Sequence, residues 1–365
     1  MRVLLTGGGT GGHLYPALAI AEELKKRIAC HILFVGTRTG LESKVVPDKG
    51  YAYKMIWISG LRRGKIWANC LFPFKVVVSF FQALAIVIQF RPDVVLGTGG
   101  YVSWPVLMSS ILLKKKTMIQ EQNQQPGLVT RICAPFVDSV HLSFEESRRF
   151  FKKQSHLHVS GNPTLWNITL DRRYLGYQQF GLRSDKMTVF IFGGSQGARG
   201  INQAISSVLD RLMERNDLQL LWATGPRWFE EIKNHIDSWE ERVRIVSYIE
   251  DMGLAYSVSD LLVCRSGATT IAEVTRLGLP AIFIPFPDAA AGHQEKNARV
   301  LWEAGAAEMV LESQIGEGKF EEMLFSLLDS STRRFEMARQ AKKYGRPDAA
   351  SAIVSDLIEQ AGEGT

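Results

Sequence analysis

Cysteine is scarce in this sequence and the Asp-x-Asp motif is missing, which narrows the kinds of functional site to expect. Its four cysteines, Cys30, Cys70, Cys133 and Cys264, are far apart and form no CxxC pair. This spacing gives no indication of a zinc knuckle or a disulfide framework and suits a reducing compartment. No Asp-x-Asp occurs, although metal-dependent enzymes acting on nucleotide-sugars commonly display one. We therefore expect no metal, so that loop amides and helix N-termini would stabilise a leaving diphosphate.

Long uninterrupted hydrophobic runs are also missing. Residues 1–6 lead directly into a glycine loop, without the apolar core of a signal peptide, which predicts a chain that stays inside the cell. The most apolar stretch, residues 71–90, contains Pro73, Lys75, Gln82 and Gln89. We expect its uninterrupted part to be too short for a bilayer span of about 20 residues. The net charge of +6 suits a polyanionic ligand or an acidic membrane surface and does not predict nucleic-acid binding.

The order of apolar runs predicts two α/β domains of the parallel-sheet class. Short β-rich runs alternate with helical patterns, which is typical of a parallel sheet with helical crossovers. The predicted strands are residues 3–6, 32–35, 94–97, 117–120, 188–192, 218–223, 243–246, 261–264 and 281–284. Two such sheets facing each other would form a cleft at the carboxyl ends of their strands, where ligands bind.

The predicted boundaries follow from helix and linker signals. Pro16 is expected to open the first helix, and residues 348–360 show a helical pattern. A polar, irregular stretch from Ser160 to about Lys186 is the expected linker. We assign residues 1–160 to the N-terminal domain and 161–345 to the C-terminal domain. Residues 346–365 form a C-terminal helix, with the N-terminal domain as a candidate for its packing.

The first glycine-rich loop, residues 7–13, contains GxGxxG between a strand and a helix. An NAD enzyme would also have an acidic residue at the end of the second strand, where this chain has Gly36-Thr37-Arg38. We therefore expect no dinucleotide cofactor. The glycines let backbone N–H groups approach an anion such as diphosphate at the helix N-terminus. His13 is a candidate base or phosphate partner, and a structural histidine is the alternative.

The second glycine-rich loop, residues 193–199, contains GxSxG, which is also the nucleophile elbow of α/β-hydrolases. A hydrolase would need a downstream acid and histidine, for which His235 and His293 are candidates. That fold leaves the first loop unexplained, so we interpret Ser195 as a hydrogen-bond donor to phosphate.

Two further motifs follow predicted strands. Residues 265–273 open another helix, for which Ser266 is the expected N-cap, with amides directed at phosphate and Glu273 placed to bind a ribose. The alternative is that Glu273 only favours the positive end of the helix dipole. Glu121, among the amides of residues 121–127, suits recognition of sugar hydroxyls.

Together these motifs resemble the MurG family of glycosyltransferases, from about residue 3 to residue 305. The resemblance rests on residues 8–13, 97–101, 121–123, 161–163, 193–199, 264–273 and 293–294. It implies a GT-B fold and a metal-independent, inverting transfer of GlcNAc from UDP-GlcNAc to the C4 hydroxyl of MurNAc in lipid I. The product would be lipid II for peptidoglycan synthesis, made by a peripheral enzyme on the cytoplasmic face of the membrane. Cell-wall and division proteins are further partners that this role implies.

The resemblance also implies which residues bind the substrates. His13 and Glu121 are the candidates for the catalytic base. Donor contacts are implied for Thr10, Gly11, Gly12, Asn123, Ser195, Ile249, Ala268, Thr269, Thr270, Ile271, Ala272, Glu273 and Gln294. The acceptor diphosphate is expected at Gly9, Thr10, Gly99, Gly100 and Tyr101. Residues 71–90 with Arg62, Arg63 and Lys65, and Leu112-Leu113 with Lys114 to Lys116, are candidates for contact with anionic lipid. A buried crossover helix with a solvated charge run is the alternative.

Two positions depart from the family pattern. Leu165 stands where members commonly have arginine, and Gln120 where they commonly have histidine. Leucine cannot replace an arginine donor, so Arg172 or Arg173 would have to compensate. Two other functions stay open for this architecture: a UDP-sugar epimerase, which needs no acceptor, and a non-catalytic sensor of nucleotide-sugars.

Overall fold

The computed structural model of the chain describes residues 1–60, 70–152, 154–165, 171–234 and 241–362. It divides into a first domain, Met1–Leu165 with Arg346–Thr365, and a second domain, Trp166–Gly345. Residues 161–165 thus lie in the first domain, whereas the sequence-based boundary placed them in the second. Arg62, Arg63, Lys65 and His235 lie outside the described residues.

Each domain is built on a fully parallel sheet. The first domain has the strand order β3-β2-β1-β4-β5-β6-β7, and the second has β10-β9-β8-β11-β12-β13. Every predicted strand is confirmed within two residues at either end. The described strands are β1 Arg2–Gly7, β2 His31–Gly36, β3 Ala52–Met55, β4 Val94–Gly99, β5 Lys116–Glu121, β6 Ser139–Leu142, β7 Leu157–Val159, β8 Met187–Phe192, β9 Leu218–Ala223, β10 Val243–Val246, β11 Leu261–Cys264, β12 Ala281–Phe283 and β13 Glu308–Met309.

Helices connect these strands. Those described in the first domain are α1 Gly11–Arg27, α2 Glu42–Asp48, α3 Phe72–Phe90, α4 Ser103–Leu112, α5 Leu128–Cys133 and the C-terminal α15 Ala349–Gly362. Those described in the second are α6 Arg173–Phe180, α7 Arg199–Ser206, α8 Leu209–Met213, α9 Phe229–Lys233, α10 Met252–Val258, α11 Ala268–Leu277, α12 His293–Glu303, α13 Lys319–Asp329 and α14 Ser331–Tyr344. The C-terminal helix packs Ile353 and Leu357 into the same core as Leu18 of α1.

The topology of each sheet marks a position for ligands. In the first domain, β2 and β3 add to one side of β1, and the chain then crosses to the other side at β4. In the second domain, the same reversal separates β8 from β11. Ligands of open parallel sheets bind beyond the carboxyl ends of the strands at such reversals. Both glycine-rich loops begin there, since they follow β1 and β8.

The first helix starts earlier than the sequence predicts. Pro16 is not its opening residue, because α1 begins at Gly11 and Pro16 lies inside it. The missing N–H of Pro16 removes only the bond that Gly12 would accept, close to the helix start. His13 is therefore part of the first helical turn rather than of the loop, and it is held by helix geometry.

The apolar residues 72–90 form one helix, α3. Its 19 residues are long and apolar enough to cross a membrane by length and composition alone, although Lys75, Gln82 and Gln89 lie within it. Only 17% of its apolar window is buried. Ser79, Ala83 and Val87 form its buried face, while Phe74 and Phe81 are exposed.

Candidate active site

His13 is oriented by a buried polar network at the ends of β1, β4 and β5. Its Nδ1 lies 3.0 Å from the carbonyl oxygen of Thr98 and 2.9 Å from Oε1 of Gln122. The Gln122 amide orientation fits its other contacts, because Nε2 donates to Thr98 O at 2.7 Å. Both neighbours of Nδ1 are acceptors, so Nδ1 carries the proton. In the neutral ring, Nε2 is then left as a proton acceptor.

Glycines allow the two loops of the first domain to meet. Gly99 and Gly100 have φ angles of 101° and 79°. A Cβ atom on Gly99 would lie 2.8 Å from Nδ1 of His13, and one on Gly100 would lie 2.5 Å from Gly8 O. Side chains at either position would therefore separate the loops. The ring of Tyr101 lies beside Gly9, so the residues predicted for the acceptor diphosphate are brought together here.

A buried carboxylate that the sequence analysis missed lies beneath the first loop. Glu42 is 1% exposed. Its Oε2 accepts from the backbone N–H of Gly9 at 3.0 Å, and its Oε1 accepts from the N–H and the hydroxyl of Thr37 at 3.0 and 2.8 Å. The Gly9 N–H is therefore directed at Glu42 rather than at a ligand. Glu42 is the first residue of α2 and not the acidic residue at the end of β2 that an NAD enzyme would have.

Glu121, the second candidate base, lies at the end of β5 and is 3% exposed. Its Oε1 accepts from the backbone and side-chain N–H groups of Asn123, at 3.1 and 3.4 Å. Its Oε2 accepts from Gly127 N at 3.0 Å and from the Thr130 hydroxyl at 2.6 Å. The carboxylate thus receives four hydrogen bonds, three from the loop after β5 and one from Thr130 of α5, and it fixes the path of residues 121–130.

In the second domain, the loop after β8 is held against the end of β9. A Cβ atom on Gly197 would lie 2.0 Å from Thr224 O, so the loop needs glycine there. Ser195 is exposed on this loop. No histidine among the described residues bonds to its hydroxyl, and Nδ1 of His293 instead lies 2.7 Å from Ala290 O. Among the described residues, Ser195 therefore lacks the histidine partner that a hydrolase nucleophile at this loop would need.

Helix α11 presents free amides next to that loop. Its N-cap is Gly267, and the expected N-cap, Ser266, instead donates its hydroxyl to Gln294 O at 2.8 Å. The first intrahelical bond to the cap is from Ile271 N to Gly267 O, which leaves the preceding amides of the helix without intrahelical acceptors. Ser266 therefore connects α11 to α12, and the side chain of Gln294 holds the next loop through Phe286 N at 2.9 Å.

Glu273 points into the interior below this helix end. It is 4% exposed, and its Oε2 accepts the hydroxyl of Tyr256 at 2.8 Å. Burial raises the pKa of Glu273 to about 7, and the Tyr256 hydrogen bond opposes that rise. Ile249, the residue expected at the uracil, is buried in the loop after β10.

The departure at Leu165 has a packing explanation. Leu165 is half-buried and packs on the core shared by β1, α1 and α15. The suggested substitutes for the lost arginine are both paired: Arg172 with Asp251 at 2.9 Å and Arg173 with Asp260 at 2.6 Å. Gln120 is buried, and its Nε2 donates to Ser143 Oγ and Asn162 Oδ1, both at 3.3 Å.

The structure places the predicted residues in two groups. His13, Glu121, Gly9, Thr10, Gly11, Gly12, Gly99, Gly100, Tyr101 and Asn123 belong to the first domain. Ser195, Ile249, Ala268, Thr269, Thr270, Ile271, Ala272, Glu273 and Gln294 belong to the second. Within each domain they lie on loops and helix starts that follow strand ends.

Comparison with known proteins identifies both domains. Residues 3–142 match the N-terminal domain of glycosyltransferase family 28, and residues 188–353 match its C-terminal domain. The UDP-N-acetylglucosamine–N-acetylmuramyl-(pentapeptide) pyrophosphoryl-undecaprenol N-acetylglucosamine transferase of Chlorobaculum tepidum is 42% identical, over 98% of this chain and 99% of its own. The protein of the same name from Salinibacter ruber is 40% identical, over 98% of this chain and 96% of its own.

Solved structures show the same architecture. The crystal structure of Acinetobacter baumannii MurG superposes with a TM-score of 0.80 at 27% identity, covering 98% of this chain and 99% of that one. The UDP-GlcNAc 2-epimerase of Neisseria meningitidis, bound to UDP-GlcNAc, gives a TM-score of 0.69 at 16% identity, covering 98% of this chain and 100% of that one. That second likeness shows the fold alone.

Proposed function

This chain belongs to the family of UDP-N-acetylglucosamine–N-acetylmuramyl-(pentapeptide) pyrophosphoryl-undecaprenol N-acetylglucosamine transferases, and we propose that each of its two domains binds one of the two substrates. It is a glycosyltransferase of the GT-B class that makes lipid II from UDP-GlcNAc and lipid I. In our proposal the first domain binds lipid I and supplies the base, and the second binds UDP. The transfer inverts the anomeric carbon and needs no metal.

The orientation of His13 carries the proposal for the chemistry. With Nδ1 donating to Thr98 and Gln122, Nε2 of the neutral ring accepts the proton of the MurNAc C4 hydroxyl. That oxygen attacks the anomeric carbon of GlcNAc, and the bond to the UDP phosphate oxygen breaks. The proton on Nδ1 stays in place, so its two acceptors stabilise the imidazolium that forms, as the carboxylate does in other histidine bases.

Glu121 has a different role in this proposal. Each of its oxygens already accepts two hydrogen bonds, so Glu121 holds the loop that carries Asn123 and does not take the proton. We assign it as a positioning residue, with the Asn123 side chain contacting the donor sugar.

The acceptor diphosphate is assigned to the start of α1. The amides of Thr10, Gly11 and Gly12 precede the first intrahelical bonds, which His13 N and Leu14 N make to Thr10 O. Gly100 and Tyr101 adjoin the same loop. Gly9 contributes its conformation, with φ of 83°, while its N–H is bound to Glu42.

The donor is assigned to the start of α11 and the loop after β8. Amides of Ala268, Thr269 and Thr270 suit the UDP diphosphate, with the Ser195 hydroxyl as a further donor. The remaining contacts are Ile249 for the uracil, Glu273 for the ribose, Gln294 for the sugar, and the helix residues Ile271 and Ala272.

Turnover of a His13→Ala variant tests the base. We expect kcat to fall by about 10² to 10⁴ with a labelled lipid I analogue, while UDP affinity stays unchanged, because general base catalysis contributes that much. His31→Ala is the matched control, since His31 is exposed at the start of β2. Unchanged turnover of His13→Ala would exclude His13 as the base.

Helix α3 supports peripheral attachment to the membrane. Phe74 and Phe81 are 58% and 62% exposed, whereas Ala83 and Val87 anchor the opposite face in the domain core. An exposed apolar helix face binds the interface of a bilayer, and the net charge of +6 suits an anionic one. We expect Phe74→Glu with Phe81→Glu to weaken sedimentation with anionic vesicles at least about tenfold. Phe335→Glu, on the second domain and 68% exposed, is the control. Equal losses in both variants would contradict attachment through α3.

A further inference from the structure

We propose that Tyr256 is a positioning and specificity residue, whose buried hydroxyl holds the Glu273 carboxyl group ready for the ribose of the nucleotide. The inference rests on the proposed function, in which Glu273 binds the ribose. Through Glu273, Tyr256 would select ribonucleotides over 2′-deoxyribonucleotides.

The Tyr256 side chain has little freedom. It is fully buried on α10, and its ring packs edge-on against Phe190 and Phe192 of β8, with centroid distances of 6.0 and 5.9 Å. Its hydroxyl therefore has a fixed position, 2.8 Å from Oε2 of Glu273. A tyrosine held in this way orients the carboxyl plane.

The second carboxyl oxygen has no protein partner. Oε1 of Glu273 accepts no hydrogen bond from any described residue, and it is not completely buried, although the residue as a whole is only 4% exposed. Oε1 is therefore the carboxyl oxygen that is left for a ligand. Tyr256 thus occupies one lone pair of Oε2, while Oε1 and the rest of Oε2 suit the two adjacent hydroxyls of a ribose.

The electrostatics make this arrangement dependent on pH. Burial raises the pKa of Glu273 to about 7, and the hydrogen bond from Tyr256 lowers it. A second titratable group that interacts with Glu273 is Cys264 of β11. Burial raises the pKa values of Tyr256 and Cys264 well above their ordinary range, so both are neutral near pH 7. Ribose hydroxyls donate to the ionised carboxylate, so UDP affinity should rise with pH through about 7 and binding should release protons.

A Tyr256→Phe variant of the full chain tests the inference by calorimetric titration with UDP and 2′-deoxy-UDP. At pH 7 we expect UDP affinity to fall about tenfold to a hundredfold, which is the effect of one hydrogen bond to a charged group. The midpoint of affinity against pH should move upward by at least about one unit, because the bond that lowers the Glu273 pKa is gone. Preference for UDP over 2′-deoxy-UDP should fall in parallel. Tyr177→Phe, a buried tyrosine of the same domain, should change none of these.

The outcomes separate this inference from the assignment of Glu273. Glu273→Gln that binds both nucleotides like the wild type would remove Glu273 from the ribose site and overturn the proposed function there. Loss of discrimination in Glu273→Gln but not in Tyr256→Phe would overturn only the role of Tyr256. If Tyr256→Phe does not fold, the wild type supplies the test through calorimetry in buffers of different ionisation enthalpy. Absence of proton release on UDP binding between about pH 6 and pH 8 would overturn the assignment of Glu273 to the ribose, and with it the role inferred for Tyr256.

Discussion

Replacing Glu121 by glutamine distinguishes a positioning carboxylate from a catalytic base. The amide group of the introduced side chain cannot accept on its nitrogen side, so donors of one carboxyl oxygen lose their partner. In the less costly orientation the amide nitrogen takes the place of Oε1, so the bonds from Asn123 are lost. The bonds from Gly127 and Thr130 are kept, because these residues make the shorter contacts to Oε2. Two charge-assisted bonds are lost, of which the 3.1 Å bond contributes about 1.5–3 kcal/mol and the 3.4 Å bond less, so we expect the free energy of unfolding of the first domain to fall by about 2–4 kcal/mol.

Hydrogen exchange of the β5 amides under native conditions measures the stability of the first domain separately from that of the second. A loss of about 2–4 kcal/mol leaves the domain folded, because typical stabilities are about 5–15 kcal/mol. Glu145→Gln is the control, since Glu145 is 66% exposed in its ion pair with Arg148, and we expect a change below about 0.5 kcal/mol. Unchanged stability of Glu121→Gln together with a loss of kcat of at least about a hundredfold would refute the reasoning and identify Glu121 as the base.

Three further predictions concern the C-terminal helix, Leu165 and metals. Burial raises the pKa of Asp356, but hydrogen bonds from His141, Ser139 and Gln360 hold it well below the ordinary value. Its stabilisation is therefore complete above about pH 3.9 and is lost as the pH falls below that, so Asp356→Asn should cost about 1–3 kcal/mol at pH 7 in urea unfolding and little in strong acid. Equal losses at both pH values would contradict this account. Leu165→Arg should lower stability by about 1–2 kcal/mol, because it replaces a packed apolar side chain. Improved kcat/KM for UDP-GlcNAc in that variant would instead show that the arginine site is still functional. Transfer should be unaffected by EDTA, and a loss restored by Mg²⁺ would disprove the metal-free mechanism.

The strands that the sequence predicts are those whose burial makes them continuous apolar runs. The four that it does not predict, β3, β6, β7 and β13, have two to four residues each. In β3, three of four side chains are exposed, so no apolar run marks it. In β6, Ser139 and His141 interrupt the pattern although both are buried, because Asp356 supplies their partner from more than 200 residues away. A local pattern cannot contain that information.

Prediction of the functional site from local sequence has the same limit. The glycine loops, and the strand ends they follow, could be predicted from local sequence, because glycine and helix-start signals are contiguous. Glu42, Gln122 and Tyr256 were missed, because their functional partners lie 33, 109 and 17 residues away. Gln122 even belongs to a motif used for the prediction, but only the fold brings it to His13.

The charged residues next to the two glycine loops differ more clearly than the sequences of the loops do. Glu42, below the first loop, receives only neutral donors and has no cation within ion-pair distance among the described residues. Glu312 is beside Gly200, just beyond the second loop, and it pairs with Arg265, which also donates to Ile284 O and Pro285 O.

The Glu42 carboxylate opposes part of the positive potential at the start of α1. The Arg265–Glu312 pair has no net charge, so the positive potential at the starts of α7 and α11 is unchanged. A soluble nucleotide diphosphate requires the stronger site. A lipid-linked diphosphate is already concentrated at the membrane surface, so a weaker site is sufficient for it. This difference supports assigning UDP to the second domain and the acceptor diphosphate to the first.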